Sequence, residues 1–218
     1  MPLSKQEINR KLFHLFALIL PAGIFYLPKI RGISDLMVII ILAFLLLGIL
    51  IIEILRFNAP KAQKIFQSCF ASMLRQEEDK KLTGSSYYIA SALICAVLFR
   101  DAPHISFMAL TLFILGDAIA ALVGQSMGKI RIGPKSLEGS LACFTLCLIM
   151  CVAVSPHVPL LLDSWGGTVP LPLAFITAFA ITLFELIPLR LTRHVSLNDN
   201  LSVPVIAGLV MDALYPLF

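Results

Sequence analysis

The sequence predicts an all-α fold: a polytopic membrane helical bundle of about seven transmembrane helices, with its N-terminus in the cytoplasm. Three observations predict it. Hydrophobic residues fill 59% of the 218 positions and charged residues only 14%, whereas a soluble domain carries roughly 25% charged residues. Apolar runs near membrane-spanning length, roughly 17–25 residues, recur along the whole chain. Lys and Arg are unevenly shared between alternate loops, with 14 on one side and 3 on the other. Mean hydropathy is +0.93. So little polar surface cannot keep a globule dissolved, so lipid is the expected solvent.

The expected spans are 12–27, 35–57, 86–99, 103–124, 137–155, 170–189 and 201–218. The third is short unless it starts near Thr83. Positive loops stay in the cytoplasm, which places the N-terminus inside and the C-terminus outside. At this length a single domain, 1–218, is expected. A cleavable signal peptide is not, because the first apolar stretch lacks a small-residue cleavage site and leads into further spans. In a bacterium the location would be the inner membrane.

The cytoplasmic loop 58–85 has its own pattern. Ile65, Phe66, Cys69, Phe70, Met73 and Leu74 recur at helical spacing, with Lys61, Lys64, Gln67 and Arg75 on other faces. An amphipathic helix in the interface fits this, as a simple anchor or as a gate for lipid. The outer loop 156–169 carries Trp165 and almost no charge, and reads as an interfacial turn without chemistry. Cys95, Cys143, Cys147 and Cys151 fall in apolar stretches and Cys69 in the amphipathic one. None forms a CxxC pair, so small apolar packing residues are expected rather than metal ligands. A net charge of +4, without a basic patch interleaved with aromatics, excludes nucleic acid as a partner.

Ionisable groups inside spans cost several kcal/mol unless paired or hydrated, so each marks a candidate site. Their depth is informative. His14, Glu53, Asp117, Glu185, Asn198, Asp199 and Asn200 all lie toward the cytoplasmic ends of their helices. Only Asp212 sits near the outer end, as an interface residue. A transporter would spread its acids through the membrane depth and show internal repeats. A layer at one face favours a site reached from the cytosol.

The densest stretch is GDAIAALVGQSMGKIRIGPKSLEGS, residues 116–140. Gly116, Ala120, Gly124 and Gly128 repeat every fourth residue, which tight helix packing alone would explain. It does not explain Asp117 beside them. Lys129, Arg131 and Lys135 follow, Gly133 and Pro134 turn the chain, and Ser136 can cap the next helix. Free N–H groups at that helix start, with Lys135 alongside, suit phosphate oxygens, although a basic loop that merely fixes topology is the plainer alternative. Glu138 fits a metal ligand beside such a phosphate. The segment is one residue too long for a Walker A loop and follows a membrane helix rather than a strand. At the N-terminus Ser4 and Glu7 have capping-box spacing, and Arg10 and His14 share a helix face. Asp199 offers Asp117 a second carboxylate, the pair that Mg²⁺ needs beside a polyphosphate.

GDAIAALVGQSMGK, KSLEGS, DNLSVP and the N-terminal RKLFH together resemble the polyprenol kinase group: dolichol, phytol and farnesol kinases and CTP-dependent diacylglycerol kinase. LTGSSYY, residues 82–88, is similar to a further block of that family. The matching blocks run from Arg10 to Pro204. Asn198 departs from the pattern, which more often has an acid there. The resemblance implies a membrane kinase that moves the γ-phosphate of CTP to a lipid alcohol with Mg²⁺ or another divalent cation, and distant kinship to phosphatidate cytidylyltransferases. Carried over residue by residue, Asp117 and Asp199 would ligate metal, with Glu138 or Glu185 as partners. Lys129, Arg131, Lys135 and Ser136 would hold the triphosphate, with Arg10 and Lys11 as helpers, and Asn200 would orient the nucleotide. Asp117, Lys135 and His14 would form the catalytic set, with His14 either contacting the substrate hydroxyl or serving only as a satisfied helix-end histidine. The rivals are a cytidylyltransferase-like CTP enzyme and a small membrane transporter.

Overall fold

The computed structural model describes residues 5–70, 81–187, 189 and 197–218. Their helices are α1 (Lys5–Phe16), α2 (Ile19–Tyr26), α3 (Asp35–Asn58), α4 (Pro60–Phe70), α5 (Gly84–Leu98), α6 (Pro103–Ser126), α7 (Leu137–Ile149), α8 (Leu171–Leu186) and α9 (Asp199–Leu214). Five stretches are long and apolar enough to cross a membrane: Asn9–Lys29, Asp35–Asn58, Pro103–Ser126, Leu137–His157 and Asp199–Leu217. The apolar helices α5 and α8 are shorter.

The first expected span is interrupted. Pro21 has no N–H to give the Ala17 carbonyl, which accepts instead from Leu20 N at 3.0 Å, while Ala17 N donates back to His14 O at 3.0 Å. These tight i→i−3 bonds end α1 and restart the chain as α2. The helix α3 is apolar all round and begins at a Ser34 cap, whose Oγ accepts from Met37 N at 3.3 Å. It is buried only at Val38, Leu42, Glu53 and Arg56. The exposed Ile40, Phe44, Leu47 and Ile51 suit lipid rather than water.

At the centre stands α6, which packs against α1, α2, α5, α7, α8 and α9. Its small residues set the approach of α7. A Cβ on Gly116 would lie 2.8 Å from Cys143 Sγ, and one on Gly124 would lie 2.8 Å from Ser136 Oγ. The four-residue repeat is therefore a packing seam, and Cys143, Cys147 and Cys151 are buried along it. One wider turn, Met150–Val154, continues α7 toward the outer loop. That loop is packed rather than a bare turn. Leu161 and Leu162 are buried, Trp165 stacks on Tyr215 at 4.5 Å, and Ser164 Oγ lies 3.2 Å from His104 Nδ1.

One detail qualifies the all-helical expectation. A two-stranded antiparallel hairpin, β1 (Arg131–Ile132) and β2 (Lys135–Ser136), joins α6 to α7, pairing Arg131 with Ser136. Its turn needs Gly133 at φ +62°. The expected amphipathic segment is helical over its described part, α4 (Pro60–Phe70), which has no buried residue. Met73, Leu74 and Arg75 lie outside the described residues, as does Ser4.

Candidate functional site

The predicted polar layer resolves into two ionic clusters. The first joins α1 to α6. Lys11, though only 7% exposed, reaches Asp117, its Nζ 2.6 Å from Oδ2 and 3.2 Å from the backbone carbonyl. His14, one turn further along the same face of α1, puts Nε2 3.5 Å from the same Oδ2. The imidazole is wedged edge-on against Tyr88 and Phe113, with ring centroids 5.5 and 6.1 Å away. Its Nε2 is buried and makes no hydrogen bond among the described residues. Arg10, half-buried, precedes this pair.

The second cluster joins the hairpin to α8 and α9. Lys135 Nζ lies 2.8 Å from Asp199 Oδ2 and 2.9 Å from Glu185 Oε1, and also donates to the Glu185 carbonyl. Burial works to lower the Lys135 pKa, but the Glu185 and Asp199 carboxylates outweigh it and hold the ammonium above its ordinary value. Glu185 is almost wholly enclosed, and its Oε2 has no hydrogen-bond partner among the described residues. The clusters are electrostatic neighbours: Lys135 lies within Coulombic range of Asp117, and Asp117 and Asp199 within range of Glu185.

The chain folds this way locally because each terminus is capped. Ser136 Oγ accepts from Gly139 N at 3.1 Å and starts α7, while Asn198 Oδ1 accepts from Asn200 N at 3.0 Å and starts α9. Asn198 thus serves as a cap where the family pattern led to an acid. Asn200 points its amide away from the ionic cluster, donating from Nδ2 to Gly84 O at 3.1 Å.

Not every predicted residue joins the layer. Glu138, expected as a metal ligand, accepts from the backbone N–H groups of Lys129 at 2.9 Å and Ile130 at 3.1 Å, so its carboxylate braces the hairpin loop. Ser136 is 3% exposed and its hydroxyl is occupied as a cap, so it offers a phosphate little beyond its backbone. Lys129 and Arg131 stand exposed on the loop. Among the described residues no three His, Cys, Asp or Glu gather as a metal-holding group.

One feature escaped sequence reasoning. Glu53 and Arg56, both nearly inaccessible, form an ion pair one turn apart on α3. Glu53 Oε1 also accepts from Thr83 N, Thr83 Oγ1 and Ser86 Oγ at 2.9, 2.8 and 3.0 Å. The signal was an acid and a base at i, i+3 inside a lipid-facing run.

Comparison with known proteins agrees with the motifs. The chain is 26% identical to an uncharacterized protein of Rickettsia prowazekii over 91% of this chain and 90% of that one. It is 32% identical to a probable chloroplastic phytol kinase of Glycine max, over 57% of this chain and 41% of the relative, so it spans less than half of that protein. It is 25% identical to the CTP-dependent diacylglycerol kinase of Saccharomyces cerevisiae, over 99% of this chain and 76% of the relative. No family model matches the chain, and no solved structure does. Homologues of this chain, at modest identity, are phytol kinases and CTP-dependent diacylglycerol kinases, the polyprenol and lipid kinase group.

Proposed function

We propose that the chain is a CTP-dependent lipid-alcohol kinase, transferring the γ-phosphate of CTP to a polyprenol-type or other lipid alcohol at the cytoplasmic membrane face. The observation that carries this reading is the pair of ionic clusters, Lys11–His14–Asp117 and Lys135–Glu185–Asp199, held within Coulombic range of one another in an apolar helical bundle. A prenyl or acyl tail dissolves only in lipid and CTP only in water, so a site at the rim lets each arrive from its own phase. The reading keeps seven spans, with α5 and α8 crossing beside the five longer stretches, and the N-terminus inside, where the 14:3 bias of Lys and Arg puts it.

Phosphoryl transfer needs positioning and charge neutralisation above all. Lys135 and Lys11 would neutralise the triphosphate, with Lys129, Arg131 and Arg10 attracting it from the loops. Within the site, the alcohol oxygen bonds to the γ-phosphorus as the bond from that phosphorus to the β–γ bridging oxygen breaks. His14 Nε2, unsatisfied and beside Asp117, takes the alcohol proton, and CDP leaves.

The donor set fits Mg²⁺. That ion takes one or two protein carboxylates and fills its octahedron with phosphate oxygens and water. Asp199 with the orphaned Glu185 Oε2, or Asp117 in the neighbouring cluster, would supply one or two such carboxylates, short of a protein cage. Once bound, the ion would offset charge developing in the transition state.

Labelled CTP tests the reading. Label in the γ position should move to lipid and leave CDP. Transfer of α-label to lipid would instead mean a cytidylyltransferase.

A further inference from the structure

We propose that Glu53, remote from the reacting atoms, is a positioning residue for the nucleotide end of the site, acting through the start of α5 on the first turn of α9. The proposal rests on the kinase reading above.

A carboxylate on a lipid-facing helix costs several kcal/mol unless paired. Arg56 alone would cancel the charge of Glu53. The second oxygen, however, gathers three donors, and all three belong to one turn: Thr83 N, Thr83 Oγ1 and Ser86 Oγ. Within that turn lies Gly84, whose carbonyl accepts from Asn200 Nδ2 at 3.1 Å. Asn200 follows Asp199, the partner of Lys135 at 2.8 Å. Every link from Glu53 to Lys135 is therefore a hydrogen bond, an ion pair or a few covalent bonds of one turn.

The arrangement exceeds what an α3–α5 staple requires. Those helices can pack through apolar contacts anywhere along their length, whereas Glu53 holds the turn to which Asn200 of α9 is hydrogen-bonded. Displacing that turn moves the Gly84 carbonyl, and with it the direction of the α9 entry that aims Asp199 at Lys135. Arg56 extends the linkage outward, since its guanidinium lies 5.0 Å from the Phe66 ring of α4. Glu53 thus ties α3 directly to the start of α5, and through Gly84 and Asn200 to α9.

The test uses the full chain in nanodiscs. It compares direct binding of CTP with Mg²⁺ by equilibrium dialysis with steady-state KM values for CTP and for the lipid alcohol. Glu53→Gln should weaken CTP binding and raise KM for CTP roughly tenfold, with kcat and the alcohol KM within about threefold, the size expected of a coupled hydrogen-bond network. Glu53→Asp should recover part of the loss. Combining Glu53→Gln with Asn200→Leu should cost less than the product of the separate effects, because both act through Gly84. Where Glu53→Gln does not accumulate folded, Thr83→Val and Ser86→Ala, each removing one of the three bonds, decide the matter by the same KM split. Unchanged CTP binding in folded variants, a uniform fall of kcat with both KM values altered alike, or multiplicative double-variant effects would each overturn the proposal. Wild-type protein that moves no γ-label to any lipid alcohol would sink the kinase reading instead, while the CTP-binding comparison still judges Glu53.

Discussion

Lys11 and Asp117 lie 106 positions apart in sequence, yet their charged atoms meet at 2.6 Å across the α1–α6 contact. With His14 against the same oxygen, Asp117 organises that half of the site. Asp117→Asn keeps the shape and removes the charge, and should lower turnover by about 10²–10³, the scale of losing one preorganised electrostatic group. Helical circular dichroism should be unchanged. Near-normal phosphorylation by this variant would remove Asp117 from the chemistry.

Lys135 gives a pH prediction whose sign is set by its raised pKa. The folded protein holds the Lys135 proton more tightly than the unfolded chain does. The resulting stability is therefore complete below the ordinary lysine value of 10.5 and is lost as pH climbs through the raised folded value. Melting temperature followed above pH 10 should fall in wild type. In Lys135→Met the part of that fall due to this group should vanish, and activity should be lost at every pH. A Lys135→Met alkaline profile parallel to wild type would contradict the pairing with Glu185 and Asp199.

The small-residue seam separates two kinds of glycine. A Cβ on Gly124 would press within 2.8 Å of Ser136 Oγ, whereas one on Gly48 would meet nothing within 4 Å. Gly124→Ala should cost on the order of 1–3 kcal/mol from overpacking. Gly48→Ala should be neutral or slightly stabilising, since alanine is the better helix former. Thermal denaturation of both in the same detergent measures the contrast, and equal melting temperatures would refute the seam.

Thiol chemistry tests the orientation. Cys69 is exposed on α4, while Cys95, Cys143, Cys147 and Cys151 are buried. A membrane-impermeant maleimide should label inverted membrane vesicles at Cys69 and leave right-side-out cells unlabelled. Labelling of intact cells would place α4 outside.

Most of the bundle was legible because hydropathy and charge asymmetry act locally, residue by residue. The break at Ala17 was readable in principle from Pro21, but a proline near a helix start is compatible with an unbroken span as well. Asp117, Lys135 and Asp199 could be named from their types and depth. Their actual partners could not, since Lys11 and Glu185 reach them only through helix packing that composition does not encode. The backbone partners of Glu138 were out of reach for a related reason. An acid at the first turn of a helix suits a metal and a backbone loop equally, and only the path of residues 129–138 decides between them.

Both lysines at the centre of the site are already held by the protein's own carboxylates, so any incoming anion must compete with Asp117 on one side and with Glu185 and Asp199 on the other. Under the kinase reading proposed above, a triphosphate with a divalent ion would meet that competition, since the ion would take up the displaced carboxylates while the phosphates would take up the ammonium groups. Self-neutralisation thereby leaves both lysines without the unpaired positive charge that would gather stray anions.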